Sequence, residues 1–309
     1  MVYAKDDPRS ALSTAVSSGG TSDADIATTE YLEFPLFSPT VVTDGGSREW
    51  VSRGQNFVLI HVLPQAGDVI FDDTLQGELT ILLINDDSAI SGRSVDGADS
   101  AVHTVQGDAF IVAPPGHTEI TATGEGQIAL LMAADEEQWA SRAINAASYA
   151  QPHGRVAPLE LWPEPTKGFQ WYIYEGKDVV ATPGRNGRIW RSRGIMVNFG
   201  RGSHGPRDFG KMSPHFHDDF EQASLVPHGD YVHHIQYPWG TDGNKWHAEE
   251  HGRVTSPSLT IITPPTIHTS EALDAGHNQL IDIFSPPRMD FSQQPGWVLN
   301  ADDYPMPEK

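Results

Sequence analysis

Three short segments of this chain occur twice, in the same order. Trp50-Val-Ser-Arg-Gly54 returns as Trp190-Arg-Ser-Arg-Gly194, 140 residues later. Phe71-Asp-Asp-Thr-Leu-Gln76 returns as His217-Asp-Asp-Phe-Glu-Gln222, 146 residues later. Ala113-Pro-Pro-Gly-His-Thr118 returns as Thr263-Pro-Pro-Thr-Ile-His-Thr269, with the histidine displaced by 151. The offset grows in one direction, as it does when a second copy carries a few loop insertions. An internal duplication on this scale restricts the chain to two similar halves, and 309 residues are enough for two cores.

The halves read as all-β. Apolar runs of strand length recur between Gly, Pro, Asn and Asp, as in Phe57–Leu63, Leu79–Ile84, Ala109–Ala113, Gln127–Met132, Leu259–Thr263 and Leu280–Phe284. Their length and β-branched content favour strands over helices. The 29 glycines and 23 prolines fit many short strands joined by tight turns. One segment differs. Ala133 to Ala150 is Ala-rich, acidic at its start and free of Gly and Pro, which predicts a helix connecting the halves until Gln151-Pro-His-Gly154 stops it.

Charge and composition remove several functions. With 41 acidic against 20 basic residues the net charge is −21, which repels nucleic acid and anionic membrane surfaces. The absence of cysteine excludes disulfides, thiolate metal sites and cysteine nucleophiles. No run approaches the roughly 18 apolar residues of a membrane helix. Met1 to Glu30 lacks the basic-then-apolar order of a signal peptide, so a cytoplasmic address is expected.

Chemistry is concentrated in the second half, where 10 of the 14 histidines lie between His204 and His277. Within Pro214-His-Phe-His-Asp-Asp-Phe-Glu221, His215 and His217 stand on the same face of an extended segment. Glu221 follows where a turn can return a carboxylate to the same spot. Two imidazoles and a carboxylate suit a borderline divalent metal, and His268, after Pro264-Pro265, is the best-placed fourth ligand. His233 and His234 are adjacent, so only one can face a barrel interior; both, together with Glu221, are candidate catalytic acid/base groups. His247 and His251 belong to a polar loop beside the mouth.

These residues carry a family resemblance. His215-x-His217-x3-Glu221 resembles the first conserved motif of the cupin superfamily, Pro264 to His268 resembles its second, and Asp282-Ile-Phe-Ser-Pro-Pro-Arg288 is similar to a closing cupin strand. The resemblance implies an all-β protein of two cupin (double-stranded β-helix, jelly-roll) barrels joined by a short helical linker. Residues 1–30 would be an extension, 31–132 a metal-free barrel, 133–155 the linker, and 156–309 the metal-binding barrel with its tail. The duplication puts Val69, Phe71 and Leu75 opposite His215, His217 and Glu221; only His117 survives, opposite His268. Three apolar side chains cannot hold an ion, so one metal per chain is expected.

From Arg185 to Lys211 the chain carries seven basic residues against one acid, Asp208. Arg191, Arg193, Arg201 and Arg207 are candidate clamps for a substrate carboxylate or enolate, the alternative being that they pair within the protein. The expected activity is a metal-dependent cupin enzyme with His215, His217, Glu221 and His268 as ligands. Foremost is a non-haem iron (Fe2+) dioxygenase-type oxidoreductase acting on a small anionic or enolisable substrate. A redox-neutral isomerase, lyase or hydrolase using Mn2+, Ni2+ or Zn2+ is the alternative, and a non-catalytic binding bicupin the third. A homodimer is the expected assembly.

Overall fold

Strand Phe57–Leu63 shows why the apolar runs are continuous rather than alternating. Val58, Ile60 and Val62 point into one apolar core, while Phe57 and Leu59 point into another. Successive side chains of a strand face opposite ways, so a strand buried on both sides must be apolar throughout. The computed structural model describes residues 25–96, 101–180 and 187–308. It forms two barrels, each a seven-stranded sheet facing a smaller one, of four strands in the first half and three in the second.

The two seven-stranded sheets pack back to back. Their seam joins Leu59, Leu82, Phe110 and Leu131 of the first half to Phe199, Leu225, Ile261 and Ile283 of the second, with Trp190 stacked on Phe110 at 5.8 Å between ring centroids. Inside the first barrel the core is apolar throughout, including Phe71, Leu75, Ile81 and Ile111. Phe71 stacks on Trp139 of the connector. Phe71 and Leu75 therefore fill the space that their counterparts' neighbours line in the second barrel, while Val69 is exposed at the rim. Replacing the fully buried Ile81 by Val should cost about 1 kcal/mol, measured by urea denaturation, since it removes one methylene from a filled core.

Two features depart from expectation. The connector is not a continuous helix: it holds one helical turn, Glu137–Ala140, and a 3-10 turn, Ala146–Tyr149. The chain between them bonds to strand Arg48–Arg53 instead. Ile144 N donates to Val51 O, and the Asn145 side chain accepts from Arg53 N at 3.0 Å and donates to Arg53 O at 2.8 Å. These tertiary bonds replace helical ones in a segment whose own propensity is weak at that length.

The barrels also do not divide at the expected boundaries. Strand Glu30–Glu33 pairs with Ser258–Ile262 at the edge of the second barrel's large sheet, and strand Tyr172–Glu175 pairs with Ala109–Ala113 of the first. Each half lends a strand to the other. Among the described residues, no helix is long and apolar enough to cross a membrane.

Candidate metal centre

The second barrel brings three predicted residues together. His215 and His268 form an antiparallel bridge, with His215 N to His268 O at 3.0 Å and His268 N to His215 O at 2.8 Å. His217 lies two residues on, and ligand nitrogens of all three rings fall within 4.8 Å of one another. His217 and His268 are buried and His215 is half-buried.

Two of the three rings are held in one tautomer. His215 Nδ1 is 3.0 Å from Ser213 O and His268 Nδ1 is 2.9 Å from Thr266 O. A carbonyl only accepts, so both Nδ1 atoms carry the proton and both Nε2 atoms present lone pairs, as in ligating histidines. Burial, and then the charge of Arg288, hold His217 well below the ordinary imidazole range. Burial pushes His268 down to about 4. Both rings are therefore neutral at neutral pH, the form that binds metal.

Glu221 is not part of this cluster. It and Gln222 are neighbours at the start of strand Glu221–His228, so their side chains diverge. Gln222 turns inward: its Oε1 lies 2.9 Å from His217 Nε2 and 3.2 Å from His268 Nε2. Its amide donates to Ser224 Oγ and Asp282 Oδ1, both at 3.0 Å, which fixes Oε1 toward the rings. Glu221 turns into the seam between barrels. There its buried carboxylate accepts from Gln55 N at 2.6 Å and Tyr149 Oη at 3.2 Å, and meets His153 Nδ1 at 3.2 Å. A Cβ at Gly54 would lie 2.8 Å from Glu221 Oε2, so this residue of the repeated Trp-x-Ser-Arg-Gly segment makes room for the carboxylate.

The contact between His268 and Gln222 tests whether an ion fits. With the proton on Nδ1, His268 Nε2 offers a lone pair, and the amide oxygen facing it at 3.2 Å offers another. Two acceptors aimed at one point repel unless a cation stands between them. Three imidazoles and an amide oxygen are neutral N and O donors of the kind borderline divalent ions accept. The donor set fits a divalent ion, with Gln222 in the role expected of Glu221.

The remaining candidates separate clearly. His233 is fully buried on the barrel's inner face, its Nδ1 2.9 Å from Ser270 Oγ and its Nε2 without a partner. Burial, followed by His268, lowers it to about 3. His234 faces outward to His251 Nδ1 at 2.7 Å and Glu271 at 3.1 Å, so it is no acid/base for this site. Arg207 flanks the centre, donating to Ser270 O at 2.8 Å and Ser213 Oγ at 2.9 Å.

The other three arginines serve backbone carbonyls elsewhere: Arg191 that of Tyr304, Arg193 that of Trp162, and Arg201 that of Val179. They face the tail and connecting segments, away from the triad. His117 sits at the surface beside Asp72 and Asp96, which raise its pKa. Arg288 lies outside the basic stretch from Arg185 to Lys211. It lies 3.6 Å from the Phe291 ring centroid and 5.0 Å from that of Phe284, pairs with Asp290, and places a positive charge near His217 and His268.

Two barrels with large sheets back to back and a histidine cluster inside one of them define a cupin architecture in its two-barrel form. Solved structures agree on the fold. Oxalate decarboxylase from Lactobacillus farciminis, in complex with formate, superposes with a TM-score of 0.56 at 10% identity, covering 87% of this chain and 88% of that one. A variant of Bacillus subtilis oxalate decarboxylase gives 0.52 at 13% identity, covering 91% and 84%. The 7S globulin of Momordica charantia gives 0.51 at 12% identity, covering 84% of each. No family model matches the sequence, and no curated protein does. The chain has the bicupin fold.

Proposed function

We propose that the second barrel is the catalytic half of a metal-dependent enzyme acting on a small anionic or enolisable substrate, and that the first barrel is its metal-free partner. The observation that carries this reading is the donor set. His215, His217, His268 and Gln222 would hold the ion, and none of them brings a negative charge. A dication in such a site keeps its whole charge for the substrate. When bound, the ion would supply Lewis acidity and, if it is iron or manganese, redox chemistry with O2. Fe2+ and a dioxygenase-type oxidoreductase reaction are the leading reading.

The protein's own groups complete the site. Arg207, anchored on Ser270 and Ser213, presents a guanidinium that can orient a substrate carboxylate. His233 keeps an unpartnered Nε2 that can take or return a proton at a substrate oxygen or carbon. Phe220 and Phe284, packed on His217, keep water from one side.

A second reading is a lyase acting on a small dicarboxylate. It is favoured by two of the three neighbours being oxalate decarboxylases, one of them with formate bound. Metal analysis of the purified protein together with O2-uptake screening separates the two: iron with O2 consumption supports the oxygenase, and manganese without net O2 consumption the lyase. Arg207→Gln should retain the metal and weaken substrate or carboxylate-inhibitor binding tens-fold or more, from the loss of about 2–5 kcal/mol. Unchanged kinetics with a lowered melting temperature would remove Arg207 from substrate binding.

A further inference from the structure

Two residues of the basic stretch, Arg188 and Arg201, meet in a cleft between the barrels. The cleft has a volume of about 280 Å³. At roughly 30 Å³ per water it has room for about nine waters, hence for a phosphate or small dicarboxylate. The first barrel contributes Asn85, Asp86 and Asp108; the second contributes Arg188, Arg201, His228, His277 and Gln279. None of these belongs to the histidine triad.

The lining is built rather than incidental. The Arg188 side chain is 4% exposed, ion-paired to Asp108 and packed over Trp190 and Phe199. Its Nε has no hydrogen-bond partner. A Cβ on Gly176 would collide with both Arg188 Nη1 and the Asp108 carboxylate, so the pair occupies space that only glycine leaves open.

The two guanidiniums also repel one another. Burial, and the charge of Arg201 with it, lower the Arg188 guanidinium below its usual value. The rings of His228 and His277 lie 5.4 Å apart, and burial with this neighbour lowers His228. Asp108 is ion-paired to Arg188, while Arg201 donates only to the Val179 carbonyl among the described residues and keeps its charge at the mouth of the cleft.

We propose that this cleft is a second small-molecule site, which takes an oxyanion, carboxylate or phosphoryl, through Arg188, Arg201 and the two histidines. Isothermal titration calorimetry of the full chain with inorganic phosphate and with malonate tests it. At least one probe should bind saturably at one equivalent per chain, and which one binds tells a phosphoryl from a carboxylate ligand. The double variant Arg201→Gln/His277→Gln, both of whose sites are solvent-facing, should lose at least about tenfold in affinity, or 1.4 kcal/mol. Arg201→Lys, which keeps the charge, should retain most of the binding. His217→Ala should bind the anion as the wild type does. The proposal is overturned if neither anion binds, if the double variant binds unchanged, or if His217→Ala abolishes binding, which would assign the anion to the triad.

Discussion

His217→Ala should yield a folded protein with no tightly bound divalent metal, where the wild type should carry one equivalent per chain. His217 supplies one of three imidazoles whose nitrogens lie within 4.8 Å, and the pair left behind cannot close around an ion with the same affinity. Nothing in the first barrel can compensate, because Phe71 and Leu75 fill its apolar interior and Val69 lies at the rim. The fold persists because the second barrel is held by its large sheet and the apolar seam, neither of which includes His217. Atomic-emission metal analysis with circular dichroism reads both parts. A variant that retained full occupancy, or a wild type with two equivalents of like affinity, would disprove the assignment.

Glu221→Ala should do the opposite: keep the metal and destabilise the protein, by about 3 kcal/mol or more. The substitution leaves Gln55 N, the Tyr149 hydroxyl and His153 without the buried carboxylate they share, and removing one member of a buried charged cluster typically costs about 3–5 kcal/mol. The effect depends on pH. The hydrogen bond that His153 donates to Glu221 raises the pKa of His153 in the folded protein. Stability from this pair is full below the ordinary histidine value and fades as pH rises through the raised one. Urea titrations at several pH values should show that fall across the neutral range in the wild type and not in the variant. Loss of metal from Glu221→Ala at unchanged stability would return Glu221 to the ligand set.

The contrast between Glu221 and Gln222 marks where the residues stop being legible. The histidine pair, the later His268 and the apolar character of the first copy can all be read from spacing. Whether Glu221 or Gln222 faces inward is a matter of parity. It depends on how Asp218, Asp219 and Phe220 turn before the strand begins, and Asp219 O is engaged by Ala157 N from the connecting segment. A contact 62 residues distant in sequence thus takes part in setting the phase of the strand. The same holds for the short strands Glu30–Glu33 and Tyr172–Glu175, whose patterns suit an edge of either barrel; only the packed seam decides which they join. The connector's helix signal failed for a related reason, since Asn145 found better bonds on Arg53 than along its own segment. Arg288 was visible in the closing Ser-Pro-Pro-Arg segment, but a lone arginine after a strand says nothing of what it faces.

The reciprocal strand exchange bears on what selection can do with such a duplicated chain. Once a copy has lost its metal ligands it would ordinarily be free to erode or be deleted. Here deletion would strip the ligand-bearing barrel of the strand Glu30–Glu33 that covers Ser258–Ile262, and of the Gln55 contact that anchors Glu221, the residue next to Gln222. On the proposed function, the metal-free half is retained as scaffolding for the other. Gene fragments encoding either barrel alone should accordingly give insoluble products, and only joined halves should be heritable as a working unit.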